Sequence, residues 1–386
     1  MVSPDASATA QRVQTWLADH METFSRRLAS IVAIDSGPGD RQGRDAVARR
    51  LAAWAGASGL SVETLPTSEG EHLVVRLEGG GTGRVVLLGH HDTVFPAGTA
   101  ARFGYDERDG RAFGPGVADM KGGLVLGLMA MEALAAMGAL AGTVELHSAP
   151  DEETRTKAFA AIDLVASSDA VLVLECGREN GDVVAGRKTA AWVELVARGS
   201  AAHAGTRPDR GRSAVLALSE EVIRCHALNG ARPGLTVVTG TFHGGTLPNV
   251  VPDYAEAVLD VRALSAEDLD WALGAITETK PHDGVAVRAR VQGRWPGIEA
   301  GVNNARLLDH TRQLAAALGQ SLGAQTSGGM SDGCWTAERG VPTLDGLGPV
   351  GGGDHSSDEY IELKSVPFRC GLVAGLCVAA VQDKGG

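Results

Sequence analysis

The sequence predicts an α/β fold with a smaller α+β domain inserted into it. Three observations carry that reading. Up to about residue 175, short apolar runs alternate with helical stretches, the texture of a sheet covered by helices. From about residue 190 the pattern changes to alternating apolar and polar residues, the mark of strands with one face in water. At 386 residues the chain also exceeds the roughly 250 at which single cores stop growing. Two domains are therefore expected, residues 1–189 with 297–386 forming one and residues 190–296 inserted as the other.

Residues 9 to 33 and 43 to 58 space their apolar side chains as amphipathic helices do, and LVVRLE, GGGTG and RVVLLG read as two strands around a glycine turn. The apolar runs at 85–88, 144–146 and 171–174 have strand length and polar flanks. Between the first two, residues 122–142 are nearly all apolar and long enough to span a bilayer. Glu132 in the middle argues for a buried helix instead, because a charge at mid-bilayer costs about 2.5 to 3.5 kcal/mol even on a lenient scale. In the inserted part, WVELVARG alternates, 211–229 is helical, TVVTGTFHGG and YAEAVLDVRAL alternate again, and a helix near 265–279 precedes the strand VAVRARV. Strand, helix, two strands, helix, strand is the order of a ferredoxin-like unit.

Composition narrows the function classes. Hydrophobic residues at 44% and charged residues at 21% are the balance of a folding globular chain. A net charge of -12 would repel a phosphate backbone, so nucleic acid is not expected as a partner. The five cysteines are widely spaced and form no C-x-x-C pair, which suggests neither a disulfide framework nor a thiolate zinc site and fits a reducing cytoplasm. MVSPDASATAQRVQTWLADH has neither the basic start nor the apolar core of a signal peptide.

Five segments carry chemistry. His90 and Asp92 in GHHDTV follow the strand VVLL, and residues two apart on a strand share a face. Asp92 can therefore hydrogen-bond one ring nitrogen of His90 while the other binds a metal, although H-x-D alone also describes an ordinary core histidine. Asp119 in GPGVADMKGG is held in a tight loop before the apolar helix, where an N-cap is the plain alternative. Asp151, Glu152 and Glu153 follow the strand TVELHS, and Glu175 ends the run AVLVL. An acidic triplet is usually a solvated loop, yet open α/β sheets place their sites beyond the carboxyl ends of strands, where His90 and Glu175 also fall. His355 lies in the glycine-rich loop GGGDHS, which is no phosphate loop because it lacks G-x-x-x-x-G-K-[ST].

With these residues the chain resembles the co-catalytic di-zinc metallopeptidases that include glutamate carboxypeptidase, aminoacylase and succinyl-diaminopimelate desuccinylase, and is most like the glutamate carboxypeptidase branch. The matching segments are GHHDTV, GPGVADMKGG, DEE, LECG, AAHAG, GGTLPNVVPDYAEAVLDVR, SGGMSD and GGGDHSSDEY, in family order from about residue 85 to 360. The resemblance implies a zinc-peptidase catalytic domain, a mixed sheet flanked by helices, with a ferredoxin-like lid and dimerisation domain inserted. It implies two Zn2+, replaceable by Co2+ or Mn2+, one held by His90 and Glu175, the other by Glu153 and His355, with Asp119 bridging. Glu152 would be the general base, and the Asp119–Met120 bond would be cis. His203 would reach across a homodimer to the oxyanion, and Asn249 and Arg262 would contact the substrate. The implied reaction is hydrolysis of an amide or peptide bond next to a free carboxylate, with a small-molecule substrate and no membrane partner.

Plain readings stay open: His203 as a strand-end turn residue, and Arg262 paired with Asp260 or Glu256. The chain also departs from the family's pattern. It reads EETRTKAF where relatives continue the acidic pair with glycine and serine, and it has Val183 and Val184 where glutamate-specific relatives carry a lysine, which puts the substrate in doubt. Cys176 and Cys334 near the proposed loops receive no chemistry, since free cysteine is most often a small buried residue. The alternatives are deacylation of another N-acyl or N-carbamoyl amine, and a non-catalytic binding protein on the same fold.

Overall fold

In the computed structural model, which describes residues 2–140 and 142–382, the early apolar runs form a six-stranded sheet. Its order is Ser61–Pro66, Glu71–Glu78, Thr143–Ala149, Arg84–His90, Ala170–Val173, Thr343–Leu344. The last four strands run parallel, and the first two are antiparallel additions on one edge. From Arg84–His90 the chain crosses to the neighbour on one side, Thr143–Ala149, and then to the neighbour on the other, Ala170–Val173. His90 thus ends the strand at which the connections reverse direction, where open α/β sheets leave a crevice at their carboxyl edge.

One face of this sheet is covered by the helices Pro4–Ala18, Met21–Val32, Gly122–Met137 and Val366–Gln382, and the other by Phe159, Ile162 and Val165. The helix Gly122–Met137 is buried almost all round, as an apolar crossover between buried strands must be. Gly123 makes its approach possible, since a Cβ there would lie 2.0 Å from the carbonyl oxygen of Leu174. Glu132 is satisfied by Arg27 at 2.7 Å and by the Ser58 hydroxyl at 2.7 Å. Two helical stretches, Val117–Met137 and Leu363–Gln382, are long and apolar enough to cross a membrane, and 78% and 83% of their apolar windows are buried inside the protein.

Two sequence expectations need correction. The single helix expected over residues 9 to 33 is two helices, Pro4–Ala18 and Met21–Val32. At the break the His20 ring stacks on Trp16 and its Nδ1–H donates to the Trp16 carbonyl at 2.6 Å, the acceptor that the next helical N–H would have used, so His20 N–H turns to Leu17 instead. Nor do LVVRLE and RVVLLG make a hairpin. Thr143–Ala149 lies between them, antiparallel to one and parallel to the other.

A second compact unit comprises residues 187–299 and 328–330, and the first comprises the rest. The sheet of this second unit has the order Thr236–Gly244, Tyr254–Ala263, Thr189–Arg198, Ala286–Trp295, all antiparallel. The helices Ala214–His226 and Ala266–Thr277 cover one face, packing on Ala191, Val193, Leu195, Leu259 and Val261. The chain order and strand order are ferredoxin-like. Gly328–Met330 joins this unit through its carbonyls: Arg187 donates to Gly329 and Met330, and Arg262 donates to Gly328.

Candidate metal centre

Beyond the carboxyl edge of the first unit's sheet, the strand ends and two loops bring five acidic and imidazole groups together. His90 Nε2 lies 3.0 Å from Asp119 Oδ1 and 3.5 Å from Glu175 Oε1. His355 Nε2 lies 3.1 Å from Asp119 Oδ2 and 3.5 Å from Glu153 Oε2. The donor atoms of His90, Asp119 and Glu175 all fall within 4.8 Å of one another, as do those of Asp119, Glu153 and His355. The two oxygens of Asp119 are divided between the clusters.

Two donors bound to one tetrahedral zinc at about 2.0 to 2.1 Å are separated by roughly 3.3 Å, so these spacings are those of ligand pairs. Glu153 Oε1 is buried and lacks a hydrogen-bond partner, as expected of a carboxylate completed by a cation. Histidine and carboxylate donors suit Zn2+. The residues fit a two-metal centre.

His90 and the acidic loop are held from behind. His90 Nδ1–H faces both the carbonyl of Asp92 at 3.1 Å and its carboxylate at 3.2 Å, which leaves Nε2 as the ligating nitrogen. Asp92 also accepts the backbone N–H of Glu152 at 3.1 Å and of Glu153 at 3.0 Å. One buried carboxylate thereby fixes both a histidine and the acidic loop. Asp119 is no N-cap: the helix starts at Gly122, and Asp119 keeps a non-helical backbone with a cis bond to Met120. His355 has φ 63°, a left-handed conformation that costs a non-glycine residue about 1 to 3 kcal/mol and occurs where a site over-determines it.

The sequence did not single out Glu359. Its buried carboxylate accepts N–H bonds from Gly116 at 3.0 Å, Ala118 at 2.8 Å and Asp119 at 3.0 Å. It therefore ties the loop of Asp119 to the segment of His355, four residues before it. Glu359→Ala is expected to weaken metal binding by about 10- to 100-fold, the usual range for an outer partner, and Glu359→Gln to recover much of it, because Ala118 and Asp119 share the single oxygen Oε1 that an amide oxygen can replace. Competition against a chelating dye would measure both. Arg155, a departure from the family pattern, is likewise structural: it bonds Asp151 and Asp332 and lies over the ring of Phe159. Lys121 donates to the carbonyl of Ile34 at 2.8 Å.

In the metal-free chain the charges hold protons. Hydrogen bonds to Asp119 and then Glu153 push His355 up to about 11. Burial opposes protonation of His90, but bonds to Asp119, Asp92 and Glu175 raise it well above the ordinary histidine range. Burial, then Asp119, raises Glu175 to about 7. A metal must displace these protons, so affinity should rise with pH through neutrality, and titration calorimetry at pH 7 in buffers of different ionisation enthalpy should register net proton release. Equal heats in all buffers would contradict the ligand set.

The remaining candidates from the sequence, His203, Asn249 and Arg262, belong to the second unit. His203 pairs with Val250 across a two-residue ladder, next to Asn249, whose carbonyl accepts from Ala204 N–H at 2.9 Å. His203 Nδ1 accepts from the N–H of Gly205 at 3.1 Å and Thr206 at 3.3 Å, so the ring proton is on Nε2. Arg262 is paired with Asp260 at 2.8 and 3.0 Å, as the plain reading allowed.

The family model described as Peptidase family M20/M25/M40 matches residues 86–378, which spans all of these residues. The chain belongs to that family. It is a metal-dependent hydrolase of the M20/M25/M40 group. Carboxypeptidase G2 of Pseudomonas sp. (strain RS-16) is 28% identical over 372 residues, covering 93% of this chain and 89% of its own. Succinyl-diaminopimelate desuccinylase of Burkholderia vietnamiensis (strain G4 / LMG 22486) is 28% identical over 355 residues, covering 85% and 91%. The crystal structure of aminopeptidase PepT from Bacillus cereus ATCC 10987 superposes with a TM-score of 0.77 at 22% identity, covering 94% of this chain and 98% of that one, a likeness of fold.

Proposed function

We propose that this protein hydrolyses an amide or peptide bond next to a free carboxylate, as a carboxypeptidase or N-acyl-amino-acid amidohydrolase, using two Zn2+ ions and Glu152 as general base. The observation that carries the reading is the division of the Asp119 oxygens between two histidine-carboxylate clusters, with Glu152 adjoining a ligand of one. His90 and Glu175 would hold one metal and Glu153 and His355 the other, with Asp119 offering an oxygen to each. Bound there, the metals would supply an acidified water and a Lewis acid for the scissile carbonyl.

The chain's own groups do the rest. Glu152, not itself a ligand, takes the proton of the attacking water and returns it to the leaving amine. Asp92 keeps His90 in the ligating tautomer and holds the backbone of Glu152 in place. His203, with its proton on Nε2, is a donor suited to an oxyanion, and Asn249 and Arg262 bind the substrate, Arg262 its carboxylate. A homodimer through the inserted unit is supported by Leu216 and Ile223, exposed one above the other on the outer face of Ala214–His226, and by Val238 and Phe242 exposed on the edge strand Thr236–Gly244. Five free buried cysteines suit a reducing cytoplasm.

A panel of N-acyl amino acids and dipeptides, assayed with zinc and after chelation, tests the reading. Turnover of substrates with a free carboxylate, its loss on chelation and its absence with the matching carboxamides are expected. Hydrolysis of the carboxamides at equal rates would contradict it.

A further inference from the structure

The uncovered face of the second unit's sheet carries a large aromatic ring held rigidly in solvent. Trp192 is 42% exposed, yet its orientation is fixed twice. Its indole N–H donates to Asp260 Oδ2 at 3.2 Å, and its ring meets that of Trp295 edge-on, 4.8 Å between centroids. Trp295 is itself buried, lying over Gly293, where a Cβ would come within 2.7 Å of its ring. The backbone has been pared back beneath an aromatic pair. A solvated indole without a partner is normally free to turn, and one braced on two sides is a platform for something planar.

The same Asp260 also holds Arg262. Its two oxygens take the Nε–H and one Nη2–H of the guanidinium, and the carbonyl of Gly328 takes one Nη1–H. Of the five guanidinium protons, one on each terminal nitrogen has no acceptor among the described residues, and a carboxylate can accept from such donors. Asp260 stands opposite Trp192 in register, and Arg262 follows two residues later, about 7 Å along the strand. Both side chains reach the one Asp260 carboxylate, so the guanidinium and the indole lie side by side, within the reach of one aromatic amino acid.

We propose that Trp192, Asp260 and Arg262 form a recognition surface for the carboxylate-bearing residue of the substrate and select an aromatic one, Arg262 taking the carboxylate and Trp192 the ring. The proposal rests on the hydrolase reading above and names the substrate class. Asp260 is the positioning residue, since a single carboxylate aims both the fork and the platform. Asp260→Asn keeps the shape but weakens the hold on the guanidinium, and should raise KM for every substrate with a free carboxylate.

The test is the ratio of kcat/KM for N-acetyl-L-phenylalanine and N-acetyl-L-alanine in the zinc-loaded full chain. The wild type should prefer the phenylalanine substrate through a lower KM. Trp192→Ala should shrink that preference roughly two- to tenfold, the range that stacking supplies, and Trp192→Phe should restore most of it. A preference that survives Trp192→Ala, or a uniform fall on both substrates with the ratio unchanged, overturns the platform. A wild type active on both but indifferent between them overturns it while leaving the hydrolase reading intact. A zinc-loaded wild type that turns over neither overturns this surface, and the panel of N-acyl amino acids and dipeptides then decides the hydrolase reading by itself.

Discussion

Replacing Glu152 with alanine is expected to lower kcat by about 100- to 10,000-fold while metal content and folding stay as in the wild type. The magnitude is that of a positioned acid-base group, and the selectivity follows from position. Glu152 belongs to neither donor cluster, and its backbone N–H, not its side chain, is what Asp92 holds, so truncation leaves every ligand and the loop anchor in place. In the metal-free chain burial and then the neighbouring carboxylate of Asp332, against the pull of His90, keep its proton on well above the ordinary range. A proton acceptor must be ionised, and cations bound by the neighbouring Glu153 and Glu175 would favour that form of Glu152. Near-normal kcat in a metal-loaded Glu152→Ala variant would remove it from the mechanism.

The second large effect is expected from Asp119→Ala. Removing this side chain takes one oxygen from each cluster at once, so both metals should be lost together. Affinity should fall by more than the 10- to 100-fold that an outer partner is worth, and activity should disappear with occupancy. A readout independent of turnover is the zinc-induced rise in Tm, which follows the ratio of free metal to Kd and should shrink toward zero. Retention of one tightly bound zinc with an unchanged Tm rise would mean that the two clusters are independent and that Asp119 does not bridge.

What the sequence could and could not disclose follows from the range of the interactions. His90, Glu175 and the acidic triplet were readable because each ends an apolar strand, and the carboxyl edge of a parallel sheet collects such ends. The ferredoxin-like unit was readable because alternation in WVELVARG and YAEAVLDVR is a local signal. The insertion of Thr143–Ala149 between two strands that are close in sequence was not, since apolar periodicity identifies a strand and not its neighbours. The break at His20 turns on one side chain taking the carbonyl of Trp16. Glu359 and Arg155 were silent for a different reason: their partners lie far away in the chain, Glu359 on the 116–119 loop and Arg155 on Asp332, and no spacing pattern encodes a bond between distant loops.

The two-metal centre is tested most directly by anomalous diffraction at the zinc edge from crystals of the zinc-loaded protein. Two peaks about 3.5 to 4 Å apart are expected, one beside His90 and Glu175, the other beside Glu153 and His355, with an Asp119 oxygen on each. A single peak, or peaks elsewhere in the molecule with Asp119 left free, would contradict the account.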